Sequence, residues 1–253
     1  MDDPSSSVPT PCFSPVPGIG PITHQYEDKV ITTTSTRHSH TLLHLRTYPN
    51  EFVRTMATFP ETEDISVLLL FLTWTILSTT HTTLLSVGFK SVFAEKEFLE
   101  NLMMNTPLNF APGLIQIFQS AVPPTISFFS KLPLPQDRVW GVYVLVLEKD
   151  SHPPKIYIGS GTSKDDGVKA RISTYDRLQR KKQWESGISD TLAKAVISGY
   201  SITYRGLLVW TPIPLASEQH ALRGLMLLFE TVFTLCFWAM ISRPKNYFNN
   251  SIL

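Results

Sequence analysis

The sequence predicts an α+β fold for its second half, with a small three-stranded antiparallel sheet flanked by helices. Two runs rich in β-branched and aromatic residues, 139–147 and 155–160, are separated by a polar, turn-forming loop, which indicates a β-hairpin. A third run of this kind spans 201–210 and is stopped by Pro212. The order strand, strand, helix, helix, strand, helix favours a sheet covered by helices.

Three helices are predicted around these strands. The first spans about 167–182 and ends in basic side chains, which are favourable beside the negative end of the helix dipole. The second spans 189–198 and is followed by Gly199, a residue typical of helix C-termini. The third begins near Ser217 and ends near Ser242. Apolar residues surround this last helix, so we expect it to be buried.

The first half of the chain has a different composition and is predicted to form separate regions. Residues 1–64 are rich in Pro, Ser and Thr and predict a disordered or weakly ordered arm. Residues 65–135 are predicted to be helical at first and to end in a Pro-rich linker. The composition changes near Pro135, so 136–253 is predicted to be a domain of its own.

Two features of the sequence bear on its cellular location. The N-terminus lacks the basic start and apolar core of a secretory signal, and Cys12 and Cys236 are too few for a disulfide framework. We therefore expect an intracellular protein, nuclear or cytoplasmic, without stable membrane association. A membrane protein with spans near 65–89 and 220–241 is an alternative, which Arg223 and Glu230 within the second span oppose.

Charge is divided unevenly between the two halves. Residues 1–130 contain 6 Lys and Arg against 11 Asp and Glu, whereas residues 131–253 contain 16 against 10. The first half therefore has a net charge of −5 and the second of +6. This asymmetry indicates that only the second half meets a polyanion.

A few polar residues of the second half are candidates for chemistry. Glu230 lies in an apolar helix, where an ionised carboxylate must be paired, neutralised or bound to a cation. A salt bridge to Arg171 or Arg223 and metal binding are both open for it. Arg171 and Tyr175 share a helix face, and an arginine fork suits a phosphate oxygen, although most arginines are simply exposed.

These residues, over about 139–250, resemble the GIY-YIG nuclease superfamily. The two triplets Gly141-Val142-Tyr143 and Tyr157-Ile158-Gly159 lie in the two strands of the predicted hairpin. Arg171 and Tyr175 match the family's first helix. Glu230 matches the carboxylate that holds a single divalent metal in the family, and Asn246 is the best-placed candidate for the asparagine that follows it.

The resemblance implies a metal-dependent endonuclease that hydrolyses phosphodiester bonds, with DNA preferred over RNA. Tyr143 would deprotonate the attacking water, with Tyr157 as its hydrogen-bond partner or as an alternative base. Arg171 would hold the scissile phosphate, and Tyr175 would orient the phosphate or the water. Glu230 would bind Mg²⁺ or Mn²⁺.

The same resemblance implies that basic side chains follow the nucleic-acid backbone without reading its sequence. The candidates are Lys169, Arg177, Arg180, Lys181 and Lys182. An inactive protein of this fold, which binds nucleic acid or another partner without cleaving it, remains the main alternative.

Overall fold

The computed structural model describes residues 60, 62–79, 87–120, 122–184 and 187–239. Within these ranges the chain forms eight helices and four strands. The helices are α1 Ile65–Thr79, α2 Val87–Val92, α3 Lys96–Asn105, α4 Leu114–Gln119, α5 Ile126–Phe129, α6 Val168–Lys181, α7 Asp190–Ile197 and α8 Gln219–Cys236. The strands are β1 Asn109–Phe110, β2 Val139–Glu148, β3 Lys155–Gly161 and β4 Ser201–Pro212. Nearly all of the predicted arm 1–64, and Asn246, lie outside the described residues.

The α+β class is confirmed, but the predicted number of strands is wrong. The sheet has four antiparallel strands in the order β1-β4-β2-β3. The additional strand, β1, pairs Asn109 with Trp210 and Phe110 with Val209 on the outer side of β4. It has two residues and lies between Pro107 and Pro112, so it leaves no strand pattern in the sequence.

The predicted hairpin is formed by β2 and β3. Their register runs from Gly141 opposite Gly161 to Leu147 opposite Lys155. β2 pairs with β4 on its other side, and every residue of β2 except Glu148 is buried. β2 therefore lies in the centre of the core, and β3 forms one edge of the sheet within the described part of the chain.

Helices cover both faces of this sheet. Successive side chains of a strand point to opposite faces. Tyr143, Leu145 and Leu147 therefore face α6 and α7, and they share one buried cluster with Tyr175 and Leu192. On the other face α8 packs against β2 and β3, and α1 packs against α8.

The helical region before the sheet packs directly on it. α1 contacts α3, α4 and α8, and β1 contacts β4, so the described parts of 65–135 and 136–253 belong to one compact unit. α1 has 15 residues and ends at Thr79. Within the described ranges no helix is both long enough and apolar enough to cross a membrane.

The start of α6 is held tightly against the hairpin. A Cβ atom on Gly161 would lie 2.5 Å from Val168 Cα, and one on Gly167 would lie 1.9 Å from the carbonyl oxygen of Val139. Gly167 also has a φ of 57°, a left-handed conformation that favours glycine. These close approaches fix where α6 begins and hence where its first turn, with Arg171, is placed.

Candidate active site

Three tyrosines meet between the hairpin and α6. The hydroxyls of Tyr143 and Tyr175 are 2.6 Å apart, and the ring centroids are 5.9 Å apart. Tyr157 packs edge-to-face on Tyr175 with a centroid distance of 6.1 Å. All three side chains are buried, with exposed fractions of 0% for Tyr143, 1% for Tyr175 and 7% for Tyr157. The structure thus brings together the three tyrosines that the sequence predicts to share a site.

Gly159 makes room for this cluster. It lies opposite Tyr143 in the hairpin, so the Tyr143 ring lies over it. A Cβ atom at position 159 would lie 2.5 Å from Tyr143 Oη and 2.8 Å from Cζ. Any side chain at this position would therefore displace the Tyr143 hydroxyl.

Arg171 lies beside the tyrosines and is hydrogen-bonded to a later segment of the chain. Its Nη1 donates to the carbonyl oxygen of Gly187 at 2.7 Å. The guanidinium is close enough for electrostatic interaction with Tyr143, Tyr157, Tyr175 and Glu230. Burial lowers the pKa of Arg171, but the surrounding tyrosines and Glu230 outweigh it, so the pKa is raised and the group is charged. Arg171 is therefore the common neighbour of all four other candidates.

Glu230 reaches the site from the opposite face of the sheet. Its Oε2 accepts a hydrogen bond of 2.7 Å from Ser160 Oγ, and the carboxylate also accepts one from the Ser160 backbone. The salt bridge considered from the sequence is not formed, because neither Arg171 nor Arg223 pairs with Glu230 within the described part of the chain. The side chain is partly exposed. Its hydrogen-bond partner is a neutral serine, so the carboxylate is not neutralised by an ion pair there.

Arg223 has a different set of contacts. Its guanidinium lies 5.7 Å from the centre of the buried Trp140 ring, and Nη2 donates to the Thr162 carbonyl oxygen at 3.3 Å. The Trp140 indole N–H donates in turn to the carbonyl oxygen of Ser163 at 2.7 Å. Arg223 therefore fastens the chain that leaves β3 onto α8.

Burial dominates the electrostatics of the site. It raises the pKa of Tyr143 well above the ordinary tyrosine value, and the neighbouring Tyr175 and Tyr157 raise it further. Burial also raises the pKa of Tyr175, but Arg171 and the hydrogen bonds from Tyr143 and Tyr157 oppose this. These effects correspond to a Tyr175 hydroxyl that accepts from the other two tyrosines. The phenolate form is therefore less unfavourable for Tyr175 than for Tyr143.

The carboxyl of Glu230 follows the same rule. Burial raises its pKa, whereas the hydrogen bonds from Ser160 and the charge of Arg171 lower it less strongly. Without a bound cation, the ionised form of Glu230 is therefore less favourable in the protein than it is in water. A cation beside it would reverse this preference.

A single divalent metal fits the donor set at Glu230. Within the described residues no group of three or more His, Cys, Asp or Glu side chains could hold a metal ion. Mg²⁺ keeps several waters and is often bound by one or two carboxylates, so the partly exposed Glu230 is a suitable ligand. The single Mg²⁺ or Mn²⁺ at Glu230 stays a prediction.

The predicted backbone-binding residues are placed on other surfaces of α6. Arg177 and Arg180 are exposed and line a shallow depression of about 470 Å³, together with Arg205 from β4. Lys169 forms an ion pair with Asp137. Lys181 and Lys182 are exposed at the end of the helix. None of the tyrosines, Arg171 or Glu230 lines this depression, so the sequence-predicted residues separate into two regions.

Two contacts of the site were not predicted from the sequence. Ser160 was missed as the partner of Glu230, although its position directly after Gly159 on an edge strand is a usable signal. Gly187 was missed as the acceptor for Arg171, and its backbone role leaves no signal in the side chain. The place of Asn246 lies outside the described residues and stays a prediction.

Comparison with known proteins gives no relative: no family model, no curated protein and no solved structure matches this chain.

Proposed function

We propose that this protein is a metal-dependent endonuclease that hydrolyses phosphodiester bonds in nucleic acid, with DNA as the preferred substrate. The observation that carries the proposal is the position of Arg171, a charged guanidinium within electrostatic range of three tyrosines and one partly exposed carboxylate. These groups come from β2, β3, α6 and α8, so the fold assembles them from distant parts of the sequence. A cation, a proton acceptor and a metal ligand are the groups that phosphodiester hydrolysis needs.

Arg171 is the group proposed to hold the scissile phosphate. Nη1 donates to the Gly187 carbonyl oxygen, the one hydrogen bond of this side chain to the residues that the structure describes, and a guanidinium carries five N–H donors. Its planar fork can therefore donate to a phosphate oxygen while the bond to Gly187 keeps its orientation. The charge that develops on the transferred phosphorus centre would be stabilised by this preorganised donor.

Tyr157 is proposed to relay the proton of the attacking water: its hydroxyl oxygen accepts that proton as it passes its own proton to Tyr175 in the phenolate form. It keeps a 7% exposed fraction, whereas Tyr143 is fully buried and has a strongly raised pKa. The charge of Arg171 lowers the pKa of Tyr175 and so would help to hold the phenolate charge of Tyr175 until that proton arrives. Tyr143 then acts through its hydrogen bond to Tyr175 and positions that hydroxyl.

Glu230 is proposed to hold Mg²⁺ or Mn²⁺, which when bound supplies charge to stabilise the leaving oxygen. Ser160 fixes the carboxylate through Oε2, so the orientation of Glu230 is set before any ligand binds. The partial exposure of the side chain leaves it accessible to a hydrated ion.

Cleavage of a labelled DNA substrate by the full chain, with Mg²⁺ or Mn²⁺ and with EDTA, tests the proposal. We expect Glu230→Gln and Arg171→Lys each to lower the rate by about 10²- to 10³-fold, because each removes one stabilising group of the transition state. Glu97→Gln and Lys96→Arg, on the exposed face of α3, are matched controls and should cleave like the wild type. Circular dichroism checks that all four variants are folded. Wild-type cleavage by Glu230→Gln would overturn the metal role.

Nucleic-acid binding without cleavage is the second candidate function. The full burial of Tyr143 and its raised pKa favour it, since they disfavour the phenolate that a base requires. This candidate would be supported, and the endonuclease rejected, if the wild-type protein binds nucleic acid without metal and does not cleave it whichever divalent ion is added.

A further inference from the structure

We propose that the outer face of α6, together with Trp184, binds a single-stranded segment of nucleic acid. This inference rests on the proposed function, because it specifies the substrate class that the same protein engages. The surface involved is the depression described above, with Lys181, Lys182 and Trp184 at the end of α6, and we call it the strand-binding surface. Three arginines, two lysines and one exposed indole form it.

The arginines come from two elements. Arg177 and Arg180 are three residues apart on α6, so they are neighbours on one face of the helix, and both are exposed. Arg205 reaches the same depression from β4. The depression of about 470 Å³ is completed by Ser173, Asp176 and Gln179.

The charge of this depression is positive despite one acidic residue. Asp176 accepts a hydrogen bond from Arg205 Nη2 at 2.5 Å and so is paired with one arginine. The Nε of Arg205 is buried and makes no hydrogen bond within the described part of the chain. The lining contains three guanidinium groups and one carboxylate, and planar guanidinium forks suit phosphate oxygens.

Trp184 adds a stacking surface at the end of this face. Lys182 has a φ of 53° and ends α6, and Trp184 follows two residues later with half of its side chain exposed. Gln183 separates the exposed indole from Lys181 and Lys182, so an aromatic plane follows two positive charges closely in the sequence. Aromatic side chains next to a cationic groove are the arrangement by which proteins bind unpaired bases.

In the sequence, Trp184 is close to a residue that contacts the candidate active site. Gly187, three residues after Trp184, accepts the hydrogen bond from Arg171. Stacking requires a base whose face is free, and a duplex offers this only at its ends, so the indole favours a single strand over a duplex.

Fluorescence anisotropy in EDTA, with the full chain and labelled oligothymidine or a hairpin duplex, tests this proposal without cleavage. We expect Trp184→Ala to weaken oligothymidine binding about 5- to 150-fold, the range for loss of one base–aromatic stack, and to leave duplex binding unchanged. The control is Trp238→Ala, whose side chain is 80% exposed at the end of α8. It should leave both affinities unchanged.

The charged part of the surface has its own readout. Arg177→Gln combined with Arg180→Gln should lower the slope of log affinity against log salt by about 1.4 for a single strand, at about 0.7 per phosphate contact. Lys96→Gln combined with Lys131→Gln removes the same charge from exposed positions outside the surface and should leave the slope unchanged.

The outcomes separate this inference from the proposed function. Unchanged oligothymidine affinity in a folded Trp184→Ala protein that still cleaves overturns the strand-binding surface alone. Equal weakening of single-strand and duplex binding also overturns it, because stacking is then not the cause. A wild-type protein that binds neither probe overturns both proposals.

Discussion

The two faces of the edge strand β3 carry polar groups that differ in burial: one group is enclosed in the core and the other is partly exposed. On the face of Gly159, three tyrosine side chains are buried, the hydroxyls of Tyr143 and Tyr175 are hydrogen-bonded to each other, and burial raises the pKa of both. On the face of Ser160, a single carboxylate is partly exposed and its hydrogen bonds come from the neighbouring serine. Two consecutive residues serve these two sides because strand side chains alternate between faces.

This difference teaches how the site is held in place. The tyrosine side is preorganised by packing, since its groups fill a core and satisfy one another. The carboxylate side is preorganised by hydrogen bonds from one residue and keeps access to solvent. We therefore expect changes on the tyrosine side to affect stability most, and changes on the carboxylate side to affect pH dependence most.

Gly159→Ala should produce the largest loss of stability. Its Cβ would lie 2.5 Å from Tyr143 Oη, so the tyrosine ring must shift within a packed core. We expect the free energy of unfolding to fall by about 1–3 kcal/mol, the range for overpacking a core, as measured by urea denaturation. Adding Tyr143→Phe should recover part of this loss, because it removes the atom nearest to the new methyl group. An additive double variant would show that the clash is not the cause.

Ser160→Ala should act on the other side and change the pH dependence. Its hydroxyl lowers the pKa of Glu230, so its removal should raise that pKa further. If the carboxylate holds the metal, the acidic limb of the pH–rate profile should move to higher pH. An NMR titration of the Glu230 carboxyl checks the same shift without requiring activity. Ser130→Ala, whose hydroxyl bonds within α5, is the control and should leave the titration unchanged.

The smallest effect near neutral pH is expected from the tyrosines' own titration. The pKa values of Tyr143 and Tyr175 are raised in the folded protein, whereas an unfolded tyrosine titrates near 10. Below pH 10 both states keep the proton and stability does not depend on these groups. Above about pH 10 only the unfolded state loses it, so the free energy of unfolding should fall as pH rises, by about 1.4 kcal/mol per unit per group. Urea denaturation across this range should show a shallower decline for Tyr143→Phe.

Local patterns predicted much of the fold and the site. The three long strands and the helices around them follow from β-branched runs, capping residues and breakers, and the structure confirms them with small shifts in their ends. The helical spacing of Arg171 and Tyr175 places both on the inner side of α6. These features depend on residues close together in the sequence.

The parts that were missed depend on distant contacts. Ser160 and Glu230 are 70 residues apart, so the position of Ser160 directly after Gly159 marks it as a candidate residue but does not identify Glu230 as its partner. β1 exists because two residues meet the edge of β4, about one hundred residues later in the sequence. α8 ends at Cys236 rather than near Ser242, and Trp238, two residues later, has a left-handed conformation. No residue pattern in the sequence predicts this conformation.

The tight junction between the hairpin and α6 bears on how the chain tolerates changes in length. Ser163 and Gly167 form an antiparallel bridge, and the Gly167 N–H donates to the Ser163 carbonyl oxygen at 3.1 Å. This bridge closes a short loop formed by Lys164, Asp165 and Asp166, which are all exposed. Asp166 is itself held, since its carbonyl oxygen accepts from the Lys169 N–H at 3.1 Å and its N–H donates to Ser163 Oγ at 3.4 Å. Residues added between Lys164 and Asp165 would therefore extend outward rather than displace Arg171. This loop is accordingly a suitable position for inserting a probe or a purification tag.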